Sequence, residues 1–252
     1  ESADAFAGGM RRLLADRLMA LFRASQREDW VWFEDVLAYD NARLSQALIQ
    51  TGLATHTPAY IETGLRSLRW LMSIQTASSG CFRPVGSESF GRIHEMPNAF
   101  DQQPVEAWAS ISACLAAYRA SGGEEEWSLG ASRAFDWFLG KNDLQTGLVD
   151  PVTGSCSDGL HPDRANENKG AESVLSYLLG LVEMRQFMAT AMTTGGRVKL
   201  ASKKLSSNAV GADLARSPPG SIFVPLQIRE SPRPVPSPGS VEGRRKALQA
   251  SD

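Results

Sequence analysis

Along the first 190 residues, stretches with apolar residues every three or four positions alternate with longer stretches that are polar and rich in Gly and Pro. Met10, Leu14, Leu18 and Leu21 fall on one helical stripe, and Ile61, Leu65, Leu68 and Leu71 on a second. Val105, Trp108, Ile111, Leu115 and Tyr118 form a third. Residues 174–182 are apolar nearly all round, which predicts a buried helix. Thr57-Pro58 and, more weakly, Gln103-Pro104 place proline at a first helical position. Gly52, Gly122-Gly123 and Gly140 stand where helices are expected to stop. No segment shows the strict alternation of a half-buried strand, so the pattern predicts an all-α domain.

The pattern also repeats. Arg69-Trp-Leu-Met and Gly80-Cys-Phe-Arg-Pro-Val-Gly-Ser recur as Asp136-Trp-Phe-Leu and Gly147-Leu-Val-Asp-Pro-Val-Thr-Gly-Ser, both offset by 67 residues. Downstream, Asp101-Gln-Gln-Pro-Val-Glu-Ala pairs with Glu167-Asn-Lys-Gly-Ala-Glu-Ser, which sets Glu106 opposite Glu172. Asp40-Asn-Ala-Arg-Leu-Ser-Gln fits the same slot one repeat earlier, with Ser45 at the Glu position. Each unit reads as helix, short turn, helix, then a long polar loop. Such a repeat predicts an α/α toroid, with inner helices beginning near residues 41, 103 and 169 and all the long loops on one face. The small residues Ala107, Ala109, Ser110, Ser112 and Ala113 suit close inner packing. Three hairpins make an incomplete ring. We therefore expect sequence upstream of Glu1, or a partner such as a second copy, to cover the open edge.

Composition divides the chain. All six Trp lie between Trp30 and Trp137, and seven of the thirteen prolines between Pro218 and Pro238. Residues 1–190 carry 16 Lys and Arg against 24 Asp and Glu, a net of −8; residues 191–252 carry ten against four, a net of +6. We expect a folded domain over 1–190 and a disordered tail over 191–252, inert rather than a polyproline ligand or a basic arm. The abruptness of the change also matches out-of-frame or fused sequence. The overall charge of −2 gives no reason to expect nucleic acid, and no apolar run approaches the ~20 residues of a membrane span. Cys81, Cys114 and Cys156 are odd in number and far apart, as in a reduced, cytoplasmic protein. His56, His94 and His161 are scattered, so no metal site is expected, and no motif calls for a cofactor.

The polar loops hold the candidate chemistry. One contains Trp32, Glu34, Asp40, Asn41 and Arg43; the next Arg83, Asp101, Gln102 and Gln103; the last Asp158 and Asn168. Carboxylates, amides and guanidinium groups pair with vicinal hydroxyls, and aromatic faces stack on a pyranose ring, so this collection points to a saccharide. Asp101 and Asn168 would serve equally as helix caps, and Arg43 as a partner of Glu34 or Asp40. Trp70 and Trp137, at equivalent phases inside helices, are expected in the core.

Together the motifs Trp32-Phe-Glu-Asp-Val-Leu-Ala-Tyr-Asp-Asn-Ala-Arg-Leu, Phe100-Asp-Gln-Gln-Pro-Val-Glu-Ala, Asp158-Gly-Leu and Asn168-Lys-Gly-Ala-Glu-Ser resemble a helical region of bacterial glycosyltransferases. In those proteins a nucleotide-sugar-dependent domain of the two-Rossmann type precedes an α/α toroid. The toroid is similar to six-hairpin glycosidases and N-acylglucosamine epimerase-type barrels. The resemblance covers about residues 10–188 and implies that the polar motifs line a central cavity that contacts a saccharide. It includes no Rossmann domain, so transferase chemistry would need an upstream nucleotide-sugar-binding partner.

Three readings stay open. The chain is the toroid portion of a glycosyltransferase-type enzyme, a non-catalytic glycan-binding or scaffolding module, or an inverting glycosidase. The last needs two carboxyl groups ~6.5–9.5 Å apart. Glu106 and Glu172, at the mouths of successive inner helices, are expected about one helix spacing apart (~8–10 Å), with Asp101 or Asp158 as substitutes.

Overall fold

A computed structural model of the chain describes residues 3–87 and 94–193, all within one compact unit, Glu1–Leu200. The regular elements among the described residues are six helices: α1 Ala3–Ser25, α2 Ala42–Thr55, α3 Pro58–Ile74, α4 Pro104–Ala120, α5 Glu125–Phe138 and α6 Ala171–Thr193. Among them there is no strand, only isolated bridges within and between loops, and no helix long and apolar enough to cross a membrane. The expected break near residue 190 falls inside α6, and the tail from 194 onward lies outside the described residues.

The helices stack in a row. α2 packs on α4 and α4 on α6, while α3 lies against α2, and α5 against α4. α1 packs on α2 and α3. Short turns join α2 to α3 and α4 to α5, and the long segments lead into α2, α4 and α6, whose starts fall within two residues of those expected. Ser45 is the fourth residue of α2, so Arg43 and Leu44, rather than Ser45, occupy the helix phase of Glu172 and Glu106.

Helix α4 is the spine. It is buried on nearly every side, and its small residues Ala107, Ala109, Ser110, Ser112 and Ala113 are all inside, which lets neighbouring backbones approach. Ile111, Leu115 and Val105 fill the core as expected, along with Leu68 and Leu71 of α3.

Three expectations need correction. Gly52 does not stop a helix. It lies within α2, where a Cβ would sit 2.6 Å from Ile61 Cγ1, and with Gly64 it allows the α2–α3 backbones to approach. Of the α1 stripe Leu18 alone packs against the core: Ala15, Met19 and Phe22 are buried while Met10, Leu14 and Leu21 are exposed. Residues 174–182 are not enclosed either, since Leu175, Leu178, Leu179 and Val182 are exposed. Both helices end the row, so each has neighbours on one side only. The cap positions are right but not their chemistry. Neither Thr57 nor Gln103 makes a side-chain cap hydrogen bond.

Candidate functional site

The N-termini of α2, α4 and α6 come together along one side of the row, and the side chains that join them form the site. Glu106, in the first turn of α4, is 2% exposed. Its Oε1 accepts from the Asp40 backbone N–H, and its Oε2 from the Asn41 N–H at 3.2 Å and Asn41 Nδ2 at 3.1 Å. Glu106 thus holds the chain entering α2. Burial pushes its carboxyl up to about 7, against the lowering effect of Asn41 and the Asp40 amide. Asn41 also closes a turn on Ala38, accepting from its N–H at 2.9 Å. Asp40 sits at φ +52° in that turn.

From the same turn, the exposed Tyr39 reaches across to α6 and donates to Glu172 Oε2 at 3.0 Å. Burial and this carboxylate push the Tyr39 hydroxyl up to about 12, so it stays a donor. Arg43 Nε lies 3.3 Å from Asp40 Oδ1, and its Nη1 donates to Gln46 Oε1 at 2.8 Å. The guanidinium lies over the Trp108 ring, 3.9 Å from its centre, a cation–π contact. The Trp108 indole N–H donates to Glu183 at 3.0 Å, and Ser112 donates to the same carboxylate. Burial raises the Asp40 carboxyl, with Arg43 opposing. Two buried atoms here have no hydrogen-bond partner, Asp40 Oδ1 and Arg43 Nη2, one an acceptor and the other a donor. The Arg43–Asp40 pair is close enough to attract but not aligned as a hydrogen bond.

The structure therefore brings together Asp40, Asn41, Arg43, Glu106 and Glu172. It adds Tyr39, Gln46, Trp108 and Glu183, which sequence reasoning passed over. Trp108 was hidden because its spacing within the α4 stripe reads as core. Tyr39 was visible only as the neighbour of Asp40.

The other predicted residues serve the scaffold. Trp32 is fully buried against Phe33 and Trp70, out of reach of a ligand. This corrects its assignment as a sugar platform. Glu34 is exposed, and it is its backbone carbonyl that accepts from Trp30; Arg43 pairs with Asp40, not with Glu34. Arg83 grips Asp143, with Nε 3.1 and 3.0 Å from the two oxygens. Gln102 is fully buried, donating to Asp143 Oδ2 at 2.7 Å and accepting from Trp137 Nε1 at 2.7 Å. Gln103 is the residue before α4, its side chain making no cap bond. Asp101 faces His161 at 3.2 Å. Asp158 accepts from Ser173 Oγ at 2.7 Å, from the Gly170 N–H and from Asn168. Burial pushes its carboxyl up, but those donors hold it below the ordinary range. It is a cap for α6. These contacts spend Arg83, Gln102, Asp158 and Asn168 on tying loops together.

Elsewhere, a groove of about 380 Å³ opens among α3, α4 and α5. Its Arg69 is paired with Glu124 and Glu126, and burial pushes its Cys114 thiol up to about 12, too high for a nucleophile. Among the described residues no three His, Cys, Asp or Glu side chains converge as metal ligands. Comparison of the chain with known protein families and with curated proteins finds no match.

Proposed function

We propose that this chain is an arc of an α/α toroid that binds a saccharide at the shared N-terminal end of its inner helices α2, α4 and α6. The observation that carries this reading is the convergence of Tyr39, Asp40, Arg43 and Glu172 beside Trp108, with Tyr39 and Glu172 exposed and the Asp40 and Arg43 side chains partly so. Adjacent hydroxyls of a sugar would donate to the exposed Glu172 carboxylate and to the exposed part of the Asp40 carboxylate, and accept from the outer edge of the Arg43 guanidinium. Asp40 and Glu172 outnumber the one guanidinium, Arg43. That balance favours a neutral polyol over a phosphate or other anion.

Glu106 enters this reading as a positioning residue. Its oxygens are taken up by Asp40 and Asn41, so it shapes the turn that presents Tyr39 and Asp40. Glu172 is exposed and would touch ligand. A glycosidase pair needs both carboxyl groups at the substrate, and the burial of Glu106 weighs against that alternative. Binding, with transfer chemistry supplied by a nucleotide-sugar-dependent domain, is the reading we adopt, in keeping with the resemblance to glycosyltransferases.

Titration against a panel of neutral oligosaccharides, followed by saturation-transfer NMR, tests it. At least one glycan should bind. Arg43→Ala and Glu172→Gln should each weaken it by roughly 10- to 100-fold, the loss of one charge-assisted hydrogen bond. Binding that survives both substitutions unchanged, or no binding to any glycan, refutes the assignment.

A further inference from the structure

Large exposed apolar side chains on helices are confined almost entirely to the two ends of the row. Among the described side chains five are on α1 and four on α6; α2 contributes Leu53, and α3, α4 and α5 none. On each end helix the stripe lies opposite the buried face. On α1, Leu14 (53% exposed) and its neighbours lie across from Ala15, Met19 and Phe22. On α6, Leu175 (56% exposed), Leu179 and Val182 lie across from Ser176 and Met184. A helix apolar on two faces is built to be packed on both, and contiguous patches of this kind mark an interface.

We propose that a second copy of this chain covers both stripes, α1 of each copy seating against α6 of the other, so that two arcs close one ring. The order of the helices supports this occupant. Chain order alternates between the α1, α3, α5 set and the α2, α4, α6 row, so the element that would follow α6 is one of α1's kind. The outward faces add one compatible charge pair: Arg17 lies within the α1 stripe and the exposed Glu172 beside the α6 stripe, while Glu183 is turned inward to Trp108 and Ser112. Two joints related by a two-fold axis use up both stripes and leave no open end. This inference rests on the ring geometry of the proposed toroid, not on its ligand.

Sedimentation velocity of the full 252-residue chain, from 1 to 100 µM, tests it. The expected species is a dimer. Leu14→Glu and Leu179→Glu should each shift it to monomer with an unchanged helical circular dichroism signal. An equimolar mixture of the two variants should regain a weaker dimer, because one of its two joints is wild type. If either leucine variant loses helical signal, Arg17→Glu replaces it: this side chain is on the surface of α1, and its reversal should weaken the dimer about tenfold or more. A wild-type monomer at 100 µM overturns the proposal, as does a dimer indifferent to Leu179→Glu and Arg17→Glu, or an open-ended polymer. A monomer that still binds glycan through Arg43 removes the second copy and leaves the saccharide reading; one that binds none removes both.

Discussion

Replacing Glu106 with Gln separates the two forces acting on this carboxylate. Burial favours its protonated form, and the donors from Asp40 and Asn41 favour the ionised one. In the folded protein the group titrates near 7, against 4.5 for its ordinary value. Below pH 4.5 both states hold the proton and the group adds no pH dependence. As pH rises from 4.5 to 7 the unfolded chain releases the proton while the folded one keeps it, so stability falls with pH in that window. A shift of this size corresponds to about 3 kcal/mol in all, of which about 2–3 kcal/mol falls between pH 5 and pH 8. Gln cannot ionise, yet it turns an amide N–H₂ toward the Asp40 or Asn41 N–H groups, which costs about 1–3 kcal/mol at any pH. Glu106→Gln should therefore be clearly less stable than wild type at pH 5, and the gap should close or reverse by pH 8. Urea unfolding at pH 5, 6, 7 and 8 measures it. Asp143, Asp150 and Asp158, whose carboxyls are held low, lose their contribution only as pH falls through values below 3.8, and do not confuse this window. A gap between variant and wild type that is constant across the range would refute the reasoning.

Two further outcomes test the packing. Gly64→Ala should destabilise by about 1–3 kcal/mol through overpacking, because its Cβ would lie 2.7 Å from Ile49 Cγ1 and 2.9 Å from the Ser45 carbonyl oxygen. A gain in urea midpoint, the result expected from helix propensity alone, would show that α2 and α3 are not so close. Of the three thiols, Cys114 and Cys156 are buried and pushed up to about 12 by desolvation, whereas Cys81 is half-buried. Ellman's reagent at pH 8 should count no more than one thiol in the native protein and three in denaturant; three fast thiols in the native protein would contradict the burial.

Helix starts were legible because proline and the polar-to-apolar change mark them locally, as at Pro58 and Pro104. The 67-residue offset was legible too: α3 and α5 begin at Pro58 and Glu125, and α4 and α6 at Pro104 and Ala171, both 67 apart. Which face of a helix is buried was not. Leu14 and Met19 are equally apolar, and only the position of α1 at the end of the row decides that Met19 is inside. Gly52 reads as a stop because glycine is a poor helix former, yet Ile61, nine residues on in the next helix, is what excludes a Cβ there. Polar loop residues posed the same difficulty. Asp158 and Asp40 look alike as sequence, but one caps α6 and the other faces Arg43 with an unspent oxygen. The missed Trp108 shows the converse, a residue with core spacing whose ring is covered by a guanidinium instead of by core.

The two sides of the helical row, at opposite tips of its helices, are unequal in what they can tolerate. At one tip, loops are knotted together by Arg83, Asp143, Gln102 and Trp137 and by the carboxylate links from Glu106 and Asp158. At the other, α2 passes to α3 and α4 to α5 through turns of a few residues, with Gly122 and Gly123 at positive φ and no contact to the site. The Gly122-Gly123 turn is therefore the place to insert a fluorophore, an affinity tag or a surface tether. A label there reports on the helical row from a fixed point while leaving the loops around Glu106 and Glu172 untouched.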